Sequence, residues 1–145
     1  MEGANVKDNI YKITEYYLYN YKNIDNIIKD INDRIIDNVN VSSSAWLKSK
    51  QMEGNTLENQ AIRLADNKKI YNLKKAKVVI NHCMKVFKER NPKRYMFIKM
   101  KYFDKATPID ILKKLKYDKK QQTDITETVV SFFYRQLKKA GIGGI

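Results

Sequence analysis

Residues 118 to 127, "DKKQQTDITE", bring together side chains able to recognise a nucleic acid. Lys119 and Lys120 are cations, Gln121 and Thr123 offer donors and acceptors, and Asp124 and Glu127 offer acceptors alone. In the major groove each base pair shows its own pattern of donors and acceptors, so these residue types, carried on a helix, are candidates for reading base edges. A second set could neutralise phosphates: Lys93, Arg94, Lys99, Lys101, Lys105, Lys113, Lys114, Lys116 and Arg135. Asp124 is the most discriminating residue. An acidic side chain repels phosphate and is useful at DNA as an acceptor for a cytosine amino group, or else as a helix cap.

Other chemistry has little basis. His82 and Cys83 are the single residues of their kinds, and neighbours on a helix project about 100° apart, which rules out a chelating or catalytic pair within one chain. The "GIGGI" at the C-terminal end reads as a tail and not a phosphate-binding loop. Asp25, Asp30, Asp33 and Asp37 have the spacing of a solvated helix face. No enzyme, metal site or cofactor is expected.

Charge supports the nucleic-acid reading. Residues 1 to 66 carry 8 Lys and Arg against 10 Asp and Glu, whereas residues 67 to 145 carry 21 against 6. The excess positive charge therefore lies in the half that holds the candidate residues. A polyanion partner follows, because each phosphate neutralised by Lys or Arg releases condensed counterions. A lysine-rich solvated surface is the plainer alternative.

The elements that would carry these residues read as helices. Gly and Pro are few, at five and two, and nothing resembles a strand. From Asn5 to about Asn38 the apolar residues Ile10, Ile13, Tyr17, Ile24, Ile27 and Ile31 follow a heptad stripe, with Asn20 at the missing seam position. Residues 39 to 56 read as a long connection. A second long helix is expected from Asn55 or Thr56 to Arg90, with its stripe at Leu57, Ala61, Leu64 and Tyr71, then Leu73, Ile80, Met84 and Phe87. The change of phase between Lys68 and Leu73 predicts a kink or break. Asn91-Pro92 and Thr107-Pro108 each place a capping residue before a proline, which opens two further helices.

After Leu115, the residues Lys116, Tyr117 and Asp118 have the character of a short turn, and a last helix is expected from Lys119 to about Lys139. Ile125, Val129 and Phe133 would stack on its inner side, flanked by Phe132 and Leu137, while Lys120, Asp124, Glu127, Ser131 and Arg135 point away. The competing reading takes "DITE", residues 124 to 127, as a capping box that starts the helix later. The predicted architecture is all-α: a long helical hairpin over residues 1 to 90, then a helix-turn-helix region over 91 to 145.

The stretch "YMFIKMKYFDKATPIDILKKLKYD" resembles the C-terminal promoter-reading domain of bacterial sigma factors and, more closely, phage late-gene transcription regulators of the RinA and ArpU type. The resemblance rests on Tyr102-Phe103 followed by Thr107, Asp110, Ile111, Leu115, Tyr117 and Asp118. It implies a sigma-like bundle, double-stranded DNA as partner, contact with RNA polymerase, and activation of late genes in the cytoplasm of a bacterial host. Gln122 departs from the pattern, which has an apolar packing residue there. A small terminase-type packaging protein and a coiled-coil adaptor for another polyanion are the alternatives, and the long helices allow self-association. No apolar run approaches a membrane span of roughly 18 to 20 residues, so no membrane partner is expected.

Overall fold

The computed structural model describes residues 2–44 and 53–142, with side chains from 8 to 36 and from 57 to 142. Every regular element among them is helical: α1 (Glu2–Tyr19), a 3₁₀ turn (Tyr21–Asn23), α2 (Ile24–Ser44), α3 (Glu53–Arg90), α4 (Pro92–Ile98), a π turn (Lys99–Phe103), α5 (Pro108–Leu115) and α6 (Lys119–Lys139). They form two compact units, one made of residues 1–22 and 75–145 and the other of residues 23–74. The boundary predicted after Arg90 differs from this division. The reason is α1, which packs along α6 and the π turn and so belongs with the C-terminal elements.

The predicted helix from Asn5 to Asn38 is two helices. Both the backbone N–H and the side-chain amide of Asn20 donate to the Tyr16 carbonyl, at 3.1 and 2.8 Å, and the helix stops there. Local bonding by Asn competes with continuation of the helical ladder. Once the break separates α1 from α2, the heptad phase no longer governs α1: Thr14 and Leu18 are fully buried, while Ile10 and Ile13 are only half-buried.

In the unit of residues 23–74, Ile24 and Ile31 of α2 are buried. Arg34 of α2 pairs with Asp66 of α3 at 2.8 Å, and Asp66 lies on the same α3 face as buried Ile70 and Leu73. This choice of face overturns the first part of the predicted stripe, while the second part holds, with Leu73, Ile80 and Met84 buried and Phe87 half-buried. Positions 64 and 66 are about 200° apart on a helix, so burying Asp66 exposes Leu57, Ala61, Leu64 and Tyr71. Of the predicted kink or break, the break is absent, since α3 is one continuous helix through Lys68 to Leu73. The predicted connection over 39 to 56 is shorter, with α2 reaching Ser44 and α3 starting at Glu53; residues 45 to 52 lie outside the described residues.

In the other unit the core is aromatic and aliphatic: Ile80, Phe97, Ile98, Tyr102, Phe133 and Leu137 are fully buried. Phe87 of α3 packs edge-on against Phe132 at 5.2 Å. α4 is shorter than predicted because the chain widens into the π turn, closed by Asp104 N–H donating to the Lys99 carbonyl at 2.9 Å. There Tyr102 points inward and its hydroxyl donates to Glu15 Oε2 at 2.7 Å, while Phe103 stacks on Tyr21 at 4.7 Å. The glycine-rich end is partly built into the fold. Gly141, at φ 80°, ends α6 and lets Ile142 bury.

Candidate nucleic-acid interface

The base-reading candidates lie on α6, and α5 and a three-residue turn carry Lys113, Lys114 and Lys116 beside them. Thr107 caps α5 by accepting from the Asp110 N–H at 3.2 Å, and Pro108 fills the first helical position. Ile111 and Leu115 turn inward, leaving Lys113 and Lys114 exposed. Lys116 then adopts the left-handed region at φ 63°, which ends α5 and reverses the chain. Tyr117 is the plug of the turn. Its ring meets Phe97 edge-on at 6.0 Å, and Lys93 Nζ lies 4.3 Å from its centroid.

α6 begins at Lys119. Asp118 Oδ1 accepts from the Gln121 N–H at 2.8 Å, and Gln121 Oε1 accepts from the Asp118 N–H at 2.9 Å, which is a reciprocal capping box. The alternative start at "DITE" is therefore excluded, and Asp124 is an exposed residue in the second turn of the helix. Lys120, Asp124, Glu127, Ser131 and Arg135 are all exposed, and Val129, Phe133 and Leu137 are buried. Ile125 and Phe132 are half-buried, at the edge of the packed face.

Gln122 ties the two helices together. It is buried, and its Nε2 donates to the Pro108 carbonyl at 3.0 Å and to the Tyr117 carbonyl at 2.9 Å. An amide here does by hydrogen bonding what an apolar side chain would do by packing. One turn on, Thr126 Oγ1 donates to the Gln122 carbonyl at 2.7 Å and accepts from Lys101 Nζ at 2.8 Å.

The candidates divide by position. Lys113, Lys114, Lys116, Lys119 and Lys120 put five cations on and around the turn, with Asp118 the one acid between them and that acid engaged as a cap. Lys93 joins them through its place over Tyr117. Lys119, Thr123 and Glu127 line a groove of about 620 Å³ with Ile109 and Leu112 of α5 and Tyr11 of α1. Gln121 spends its oxygen on the cap, and the Thr123 hydroxyl donates to the Lys119 carbonyl at 3.0 Å, so neither side chain is wholly available to a base.

Some phosphate candidates stand apart. Lys101 is half-buried and held by Thr126, and burial pulls its ammonium below the ordinary lysine value, partly opposed by the Glu15 carboxylate. It belongs to the packing of the unit. Lys99 lines a different groove, with Tyr21 and Phe103. Arg135 is 16 residues beyond Lys119, or ~24 Å along the helix at 1.5 Å per residue. Arg94 is half-buried in the first turn of α4, and Lys105 sits in the left-handed region at φ 53° in the connection before α5.

The groove beside α6 has its own electrostatics. Burial, then the carboxylates of Glu15 and Glu127, push the Tyr11 phenol up to about 12. Tyr102 is raised further, by burial first and by its bond to Glu15 second. Both phenols are neutral at physiological pH. No group of His, Cys, Asp and Glu among the described residues could hold a metal ion.

No family model, curated protein or solved structure matches this chain. Its local geometry is thus the ground for a functional reading. Among the described residues no helix is long and apolar enough to cross a membrane.

Proposed function

We propose that the chain is a sequence-specific, double-stranded DNA-binding transcription regulator, with α5 and α6 as a helix-turn-helix. One observation carries this reading: the capping box at Asp118 starts α6 at Lys119, which puts exposed Lys120, Asp124 and Glu127 on its first turns beside a turn rich in lysine. In that arrangement Lys113, Lys114, Lys116 and Lys93 bind phosphates and fix the orientation, and α6 reads bases from the major groove. The mechanism involves no catalysis. The resemblance of residues 95 to 118 to RinA- and ArpU-type regulators extends the proposal to activation of phage late genes together with the host RNA polymerase in the cytoplasm.

Selection of bound sequences from a random duplex library, followed by fluorescence anisotropy across a salt series, tests the reading. A recovered consensus, with an affinity that falls steeply with salt, supports it. Duplex binding without any sequence preference favours the adaptor reading, which the exposed Leu57 and Leu64 on α3, at 72% and 73% exposure, make concrete as an assembly surface.

A further inference from the structure

A second basic groove is lined by none of the residues assigned to the proposed duplex interface. It has a volume of about 310 Å³ and is lined by the 3₁₀ turn, the second half of α3, α4 and the π turn. Its walls are aromatic. Tyr21 and Phe103 stack at 4.7 Å with their planes 24° apart, and half-buried Tyr95 also lines the groove, with Lys88 Nζ at 5.9 Å from its ring centroid. Lys85, Lys88 and Lys99 also line the groove, and none of them forms an ion pair among the described residues. Lys22, the remaining cation, is paired with Asp104 at 3.0 Å.

We infer that this groove binds an unpaired nucleotide stretch, with bases stacking on the aromatic walls and phosphates meeting Lys85, Lys88 and Lys99. Three features point to that chemistry. A near-parallel ring pair is a platform that a further flat ring extends, and every base has a π face to offer. The three lysines line the same groove as the rings and supply the cations that backbone phosphates require. The small, ring-walled volume suits a single base and not a base pair, whose faces are hidden in the duplex stack. An acidic peptide would use the lysines and leave the ring faces idle. This groove lies apart from Lys120 and Asp124, so the inference does not depend on the helix-turn-helix reading.

Fluorescently labelled oligodeoxythymidylate and oligouridylate, each tested against the full chain, provide the test. Lys85→Glu with Lys88→Glu should weaken both by at least about tenfold and lower the salt slope by ~1.4, at 0.7 per phosphate contact for single strands. Tyr95→Leu, which keeps an apolar side chain at that position, should weaken both by about tenfold, within the range for one lost base stack. Duplex affinity should stay unchanged in the lysine variant. Preference for one of the two oligonucleotides identifies the strand as DNA or RNA within the same inference. The inference is overturned if neither oligonucleotide binds, if the lysine variant binds them as well as the parent chain, or if polyglutamate displaces them and Tyr95→Leu has no effect.

Discussion

Gln122 offers the most direct check on how α5 and α6 are held. Its amide donates to the Pro108 carbonyl at 3.0 Å and the Tyr117 carbonyl at 2.9 Å from a buried position. Gln122→Met keeps the length and shape of the side chain and removes both donors. Each neutral hydrogen bond contributes about 0.5–1.5 kcal/mol net, so the loss should be about 2 kcal/mol. Gln122→Glu places a carboxylate against two carbonyl oxygens, and an uncompensated buried charge should raise the cost to about 4 kcal/mol at neutral pH. The pH dependence has a definite sign. Burial raises the pKa of this new carboxyl in the folded state above its unfolded value of about 4.3, so the folded state holds the extra proton. The added cost is therefore complete above the folded pKa and fades as pH falls through it. Urea unfolding of both variants between pH 4 and 8 measures this. A Gln122→Met cost under about 0.5 kcal/mol, or identical pH profiles for the two variants, would show that the amide does not tie the helices.

Lys116 occupies the left-handed region, which costs a non-glycine residue about 1–2 kcal/mol, offset by the greater unfolded freedom of glycine; Lys116→Gly should stabilise the fold by about 0.5–1 kcal/mol in urea unfolding while weakening duplex binding through the lost cation. Tyr102 holds its proton above the ordinary tyrosine value, so its stabilising effect is full below pH about 10 and is lost as pH rises beyond that. The stability difference between the parent chain and Tyr102→Phe should accordingly shrink above that pH, and a constant difference would contradict it. Lys113→Ala and Lys114→Ala should weaken specific and random duplexes alike, each lowering the salt slope by about one unit in anisotropy titrations. Lys120→Ala and Asp124→Ala should instead reduce preference for the selected site by about 1–3 kcal/mol per lost base contact, and Asp124→Ala should leave thermal stability unchanged because Asp118 supplies the cap.

What the sequence made legible was local. Asn91-Pro92, Thr107-Pro108 and Asp118 announce helix starts through side-chain capping and a fixed proline φ, both of which act within four residues. The exposed face of α6 followed from its period. The pairing of helices was less legible, because a heptad stripe states that a face is apolar without stating what covers it. Leu57 and Leu64 made a better apolar stripe than Asp66 and Ile70, yet the face that buries is the one carrying Asp66, paired there with Arg34. Asn20 read as a polar seam position and is a helix terminator, a distinction that depends on its amide finding the Tyr16 carbonyl. Of the candidate site, the residues on the turn and the outer face of α6 could be named in advance. Lys101 could not be set aside, since its burial depends on Thr126 coming from a helix 25 residues away in sequence.

The wide ring of the π turn makes chain length itself a determinant of this fold. Adjacent residues on an α-helix project about 100° apart, and here the neighbours Tyr102 and Phe103 each find a different partner, Glu15 and Tyr21. Removing one residue between Lys99 and Phe103 would close the ring to the ordinary α spacing and rotate one aromatic away from its partner. The same shortening would swing the start of α5, and with it the whole turn and α6, around the axis of the preceding helix. Substitutions in this segment alter one contact at a time, whereas a single-residue deletion misaims everything downstream of it. Natural variation in these five positions should therefore run to exchanges of side chain and spare their number.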